Sequence, residues 1–161
     1  MRLAWIVLLV LPLSARAQDS TWTGRVVLHG PSWHISSKPW NNATWGLGVE
    51  LVHSGRRVSL GAILGTYRNS IEATSRYAGV QIAGPTESVV QAGLGVLLAT
   101  GYDSTMCVVE GTRTCYVFRS RLRYTPMILP ALIVGQTTQL RIAGWPVEGG
   151  VLHLMISVKI F

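Results

Sequence analysis

The chain has 161 residues, enough for one domain, with 14 Lys and Arg against 7 Asp and Glu. Hydrophobic residues make up 48% and charged residues only 13%. There is no Lys/Arg-rich block or nucleic-acid motif, which argues against a nucleic-acid partner, and no second long apolar segment, which argues against a helical membrane protein.

Met1-Arg2 forms a positive n-region, Leu3 to Leu13 an apolar core, and Ala15-Arg16-Ala17 an A-x-A cleavage signature. Residues 1–17 are therefore expected to be a signal peptide, and residues 18–161 the folded domain. The apolar run is shorter than the roughly 20 residues of a spanning helix. Removing it takes Arg2 and Arg16 and no acid, leaving 12 basic against 7 acidic residues and a net charge of +5. A basic exported domain suits lipid phosphates.

The first strand is expected over Gly24 to His34, interrupted at Gly30-Pro31, where the missing proline N–H marks an edge or a bulge. A polar connection, Ile35 to Ala43, leads to a second strand over Thr44 to His53. After the turn Ser54 to Arg57, the run Val58 to Ser70 forms the third. It has the length of a tilted membrane-crossing strand, about 9–11 residues, and its glycines Gly61 and Gly65 argue against a helix. Ser75 to Gly84 is the fourth and Val89 to Tyr102 the fifth. A long polar insertion, Asp103 to Thr125, separates these from Met127 to Val134, Gln139 to Trp145 and Val151 to Phe161.

Eight strands joined by alternating short and longer connections predict an all-β, eight-stranded antiparallel transmembrane β-barrel in the outer membrane, as a monomer. A soluble lipid-binding barrel shares the strand count. Alternation supports the membrane reading. Val90, Ala92, Leu94, Val96 and Leu98 make one face of the fifth strand, and Leu152, Leu154, Ile156, Val158 and Ile160 one face of the last. By the same count Phe161 falls on the lumen parity. Trp22, Trp33, Trp40, Trp45, Tyr67, Tyr77, Tyr102 and Trp145 lie near strand ends, as interfacial aromatic belts do.

Cys107 and Cys115 are the only cysteines. Export favours an oxidised pair, and two thiols without a nearby His make a poor zinc site, so a disulfide is expected and no metal or cofactor. The strand count brings His34 and Asn69-Ser70 to one outer rim, as a candidate base and a candidate nucleophile or alcohol ligand. His29, five residues from His34, is expected on the opposite face of its strand.

Trp33-His34 and Arg68-Asn69-Ser70, with Ile128-Leu129-Pro130 and Pro146-x-x-Gly149, resemble motifs of the outer-membrane lipid A palmitoyltransferases. The resemblance covers scattered short motifs from Trp33 to Phe161. It implies transfer of an acyl chain from a membrane phospholipid to lipid A, with His34 as base and Ser70 assisting. It further implies that Arg68 and other rim arginines meet lipid A phosphates, and that Pro130 and Pro146 open the wall as a lateral lipid entrance. Gly61, Gly65, Gly93 and Gly95 would leave a slot for the chain. Asn69 stands where that family carries an acid, so Asn69→Asp is expected to raise activity. Two alternatives stay open. His34-Ile35-Ser36 is an H-x-S pair like that of barrel lipid A deacylases, and the chain could be a non-catalytic structural or adhesive barrel. Replacing His34 separates the enzymes from the structural barrel, and product analysis separates acyl gain from loss.

Overall fold

A computed structural model describes residues 22–35, 40–102, 104–110, 112–118, 124–145 and 150–161, the segments 104–110 and 112–118 by their backbone. The expected signal peptide, Ser36 and Pro146 lie outside the described residues.

The strands are β1 (Trp22–His34), β2 (Trp45–Ser54), β3 (Ser59–Arg68), β4 (Thr74–Gly84), β5 (Val90–Ala99), β6 (Ser104–Glu110), β7 (Thr112–Phe118), β8 (Thr125–Val134), β9 (Thr138–Trp145) and β10 (Val151–Lys159). Eight of them close into one antiparallel barrel in the order β1-β10-β9-β8-β5-β4-β3-β2. β6 and β7 form a separate two-stranded sheet in the β5–β8 connection. The insertion expected to be polar connection is thus a hairpin. Its β-branched residues favour strand, a signal that the polar residues between them obscured. Cys107 and Cys115 are directly opposed in its register.

Burial alternates along the walls. On β5 Val90, Ala92, Leu94, Val96 and Leu98 are exposed, while Gln91, Gly95 and Ala99 are buried. Leu47, Val49 and Leu51 on β2 and Leu152, Ile156 and Val158 on β10 are likewise exposed. The lumen instead buries Arg25, Glu50, Gln91, Gln139, Arg141 and Ser157. A soluble barrel would put its apolar face inside. This one turns it outward around the wall, far beyond the patches monomeric soluble proteins expose, and closure leaves no sheet edge for lipid to meet. The protein is an outer-membrane barrel, and its short turns gather at the rim that in such barrels faces the periplasm.

Two expectations are corrected at the wall. Trp22, Trp33 and Trp45 are exposed as a belt requires. Tyr67, Tyr77, Tyr102 and Trp145, however, pack inside the barrel with Val27, Ile63 and Met127. Nearness to a strand end does not reveal which face a ring takes. Phe161 lies past the end of β10, where the strict alternation no longer holds. Its ring covers Gly24, and Gly24 N donates to its carbonyl at 3.2 Å. Gly24 shares the parity of the exposed Trp22 and Leu28, so the ring lies on the outside of the wall.

Candidate functional site

The lumen is divided by a polar layer. Arg141 Nη2 donates to Glu50 Oε2 at 2.6 Å, Nη1 to Gln81 Oε1 at 3.3 Å, and Nε to Gln139 Oε1 at 3.1 Å. Ser157 Oγ donates to the same Gln139 oxygen at 3.3 Å, and Gln81 Nε2 donates to Glu50 Oε1. Three facing walls, β2, β4 and β9, are thus tied across the interior.

On the outer side of that layer lies a mostly apolar cavity of about 110 Å³, lined among others by Ile63, Leu97, Met127, Leu129 and Met155. Gly93 and Gly95 line it, as expected of a chain slot, whereas Gly61 and Gly65 do not. Gly61 faces Glu50 and Gln81, and the space at Gly65 is taken by the Tyr77 hydroxyl, against which a Cβ would stand at 2.6 Å.

One side of the cavity carries a hydrogen-bonded chain that the sequence did not reveal. His29 Nε2 meets Tyr77 OH at 2.7 Å, and His29 Nδ1 meets His153 Nε2 at 2.8 Å. His153 Nδ1 lies 3.5 Å from Thr44 Oγ1, which donates to the Gly30 carbonyl at 2.7 Å. Thr44 has spent its one proton on that carbonyl, so it accepts from His153 Nδ1–H. His153 Nε2 then accepts from His29 Nδ1–H, and His29 Nε2 from Tyr77 O–H. Both imidazoles are satisfied in the neutral form. Beyond them Tyr67 and Tyr102 share a hydroxyl–hydroxyl bond. Burial first, and then Tyr67, hold the loop phenol Tyr102 well above the ordinary tyrosine value, so it is a neutral hydrogen-bonding group.

His29 reaches this place because of a bulge. The β1–β10 register shifts between His29 and Ser32, across Gly30-Pro31. Arg25 and Val27 point inward before it, and the buried Ser32 and half-buried His34 after it. The extra residue flips the parity, so His29 and His34 both line the cavity, and so does His153. The expectation that His29 points away is therefore corrected; counting by twos fails across a bulge. Ser32 Oγ is buried beside this chain with no partner among the described residues.

His34, at the end of β1, and Ser70, in the β3–β4 connection, both line the mouth, and Asn41 N in the β1–β2 connection donates to the Ser70 carbonyl at 3.0 Å. His34 stacks on Trp40 with centroids 5.0 Å apart, and its Nδ1 donates to Asn42 Oδ1 at 3.0 Å. That bond leaves Nε2 as the basic nitrogen. Asn42 thus orients the imidazole through a neutral carbonyl, and nothing in the sequence singles it out from its loop.

Asn69 is placed differently from His34 and Ser70. It is fully buried, and its Nδ2 donates to Ser75 Oγ at 3.0 Å and to the Gly101 carbonyl at 2.8 Å. Its Oδ1 accepts from Ile71 N at 3.1 Å and Ala73 N at 2.9 Å. Its carboxamide is used up in shaping the β3–β4 turn, where Glu72 takes the left-handed φ of 63°. Arg68 forms an exposed pair with Glu72 at 3.6 Å.

Among the described residues the β8–β9 ladder runs from Ala131↔Ala143 to Val134↔Leu140. The ladder stops one residue before Pro130, which has no N–H to continue it. On its other side β8 stays paired with β5 from Thr125 to Val134. Leu129 and Met127, in the stretch of β8 beyond this ladder, face the cavity, as does Trp145 at the end of β9.

No protein-family model and no curated protein matches the chain. Among solved structures it is similar to the N-terminal β-barrel domain of Pseudomonas aeruginosa OprF, with 11% identity and a TM-score of 0.44 over 87% of this chain and 96% of that one.

Proposed function

We propose that this outer-membrane barrel takes one acyl chain from a membrane phospholipid between β8 and β9 beside Pro130 and transfers it to lipid A at the outer rim. The observation that carries the reading is the end of the β8–β9 ladder beside Pro130, with an apolar cavity directly behind it. Hydrocarbon prefers such a cavity, and an opening between β8 and β9 within the apolar belt would let it enter without crossing water. Ser32 Oγ, buried and without a partner among the described residues, is suited to donate to the ester carbonyl. His34 Nε2 would take the proton of a lipid A hydroxyl as that oxygen attacks the ester carbon, then return it to the departing lysophospholipid oxygen. Ser70 and Arg68 sit at the same rim, suited to holding the acceptor and its phosphates. Opposition of Cys107 and Cys115 in the β6–β7 register supports a disulfide stapling the outer hairpin.

A structural barrel is the second reading. The inward carboxamide of Asn69 favours it, because no carboxylate at that position orients His34. Mass spectrometry of lipid A from cells producing the protein separates the two. Acyl transfer gives a lipid A species heavier by one acyl chain, lost in His34→Ala and reduced in Pro130→Ala. Unchanged lipid A with a folded, inserted parent protein leaves the structural barrel, and a lighter species points to deacylation.

A further inference from the structure

The periplasmic half of the lumen, beyond the polar layer, holds a second cavity of about 410 Å³ with a different chemistry. Its charged lining comprises Arg25, Arg141 and Lys159 against Glu50 and Glu87. Lys159 and Glu87 are exposed at the rim, which leaves two buried guanidinium groups facing one buried carboxylate. Glu50 is committed to Arg141 at 2.6 Å. Arg25, 7% exposed, donates from Nη1 to the Thr137 carbonyl at 3.2 Å and from Nη2 to the Gln136 carbonyl. Among the described residues no carboxylate lies within ion-pair distance of it.

A guanidinium has five N–H donors in a planar fork, so the two carbonyls leave part of Arg25 unused. A buried cation facing neutral acceptors alone keeps most of its desolvation cost, and an anion in reach would offset it. Thr86 Oγ1, buried and without a partner among the described residues, lines the same cavity. It is a neutral donor suited to a further oxygen. Unused cationic fork, orphaned hydroxyl and open polar space meet in one place.

We infer that this cavity is a binding site for an oxyanion, a carboxylate or a phosphate, held by the Arg25 guanidinium with Thr86 Oγ1 as a second donor. The ligand comes from the periplasmic side, because the Arg141–Glu50–Gln81 layer separates it from the acyl cavity. The inference does not rest on the acyl-transfer reading.

The test is calorimetric titration of the refolded full chain in non-ionic detergent with inorganic phosphate and, separately, with acetate. The expected result is saturable one-to-one binding of one of these probes, weakened by raised salt. Arg25→Gln keeps a polar side chain but removes the charge, and should weaken binding by about tenfold or more. Arg25→Lys should keep part of the affinity. Circular dichroism and heat-dependent gel mobility verify that each variant is folded. Binding by phosphate alone or acetate alone assigns the class. No saturable binding of either, or equal binding by parent and folded Arg25→Gln, overturns the inference.

Discussion

The carboxamide of Asn69 is the sharpest place to test how the outer rim is held. Asn69→Ala removes four hydrogen bonds at once, those from Ile71 N and Ala73 N and those to Ser75 Oγ and the Gly101 carbonyl. At about 1 kcal/mol net per bond the loss is at most about 4 kcal/mol, and water entering the opened turn reduces it to about 2–3 kcal/mol. Asn69→Asp keeps the two accepted bonds, and Ser75 can turn to donate to the new carboxylate. It sets an oxygen against the Gly101 carbonyl, however, and buries a charge at a fully enclosed site. The expected order of stability is parent, then Asp, then Ala. Because Asn41 N reaches the Ser70 carbonyl, loosening this turn also releases the loop that carries Asn42 and its bond to His34. Both variants should therefore lower any rim activity, although the family resemblance alone implied a gain for Asn69→Asp. The assays are urea unfolding in micelles followed by tryptophan fluorescence, and hydrogen exchange of the Ile71 and Ala73 amides. An Asn69→Ala protein within about 0.5 kcal/mol of the parent, with unchanged exchange at those amides, would refute the reasoning.

Two further outcomes follow from the interior and the hairpin. Glu50→Ala strands the Arg141 guanidinium, whose side chain is 4% exposed, and should cost about 3 kcal/mol in the same unfolding assay; a loss under about 1 kcal/mol would mean that water already screens the pair. Cys107 and Cys115 should resist thiol labelling until the protein is reduced, and reduction should leave the barrel folded, since the hairpin lies outside its ladder; free labelling of both native thiols would contradict the pairing.

The amino-acid sequence by itself determined the barrel. The number of barrel strands, their approximate bounds and the lipid face follow from period-two alternation and from turn residues, which are local signals that survive without knowing which strand meets which. It also brought His34 and Ser70 to the same rim, because strand parity alone decides which ends emerge together. Only the tertiary structure decided the contents of the lumen. Glu50, Gln81 and Arg141 come from three strands far apart in the chain, and no local pattern announces that their side chains meet. The bulge at Gly30-Pro31 reverses the parity that sequence counting assumes, bringing His29 inside to His153 and Tyr77. Asn69 reads as a neighbour of Ser70 in the sequence, yet its side chain turns into its own loop, where its carboxamide meets two backbone N–H groups, a backbone carbonyl and the Ser75 hydroxyl. Side-chain direction at loop ends and bulges is set by which polar groups must be satisfied once the walls have closed, and that requirement exists only in the folded barrel.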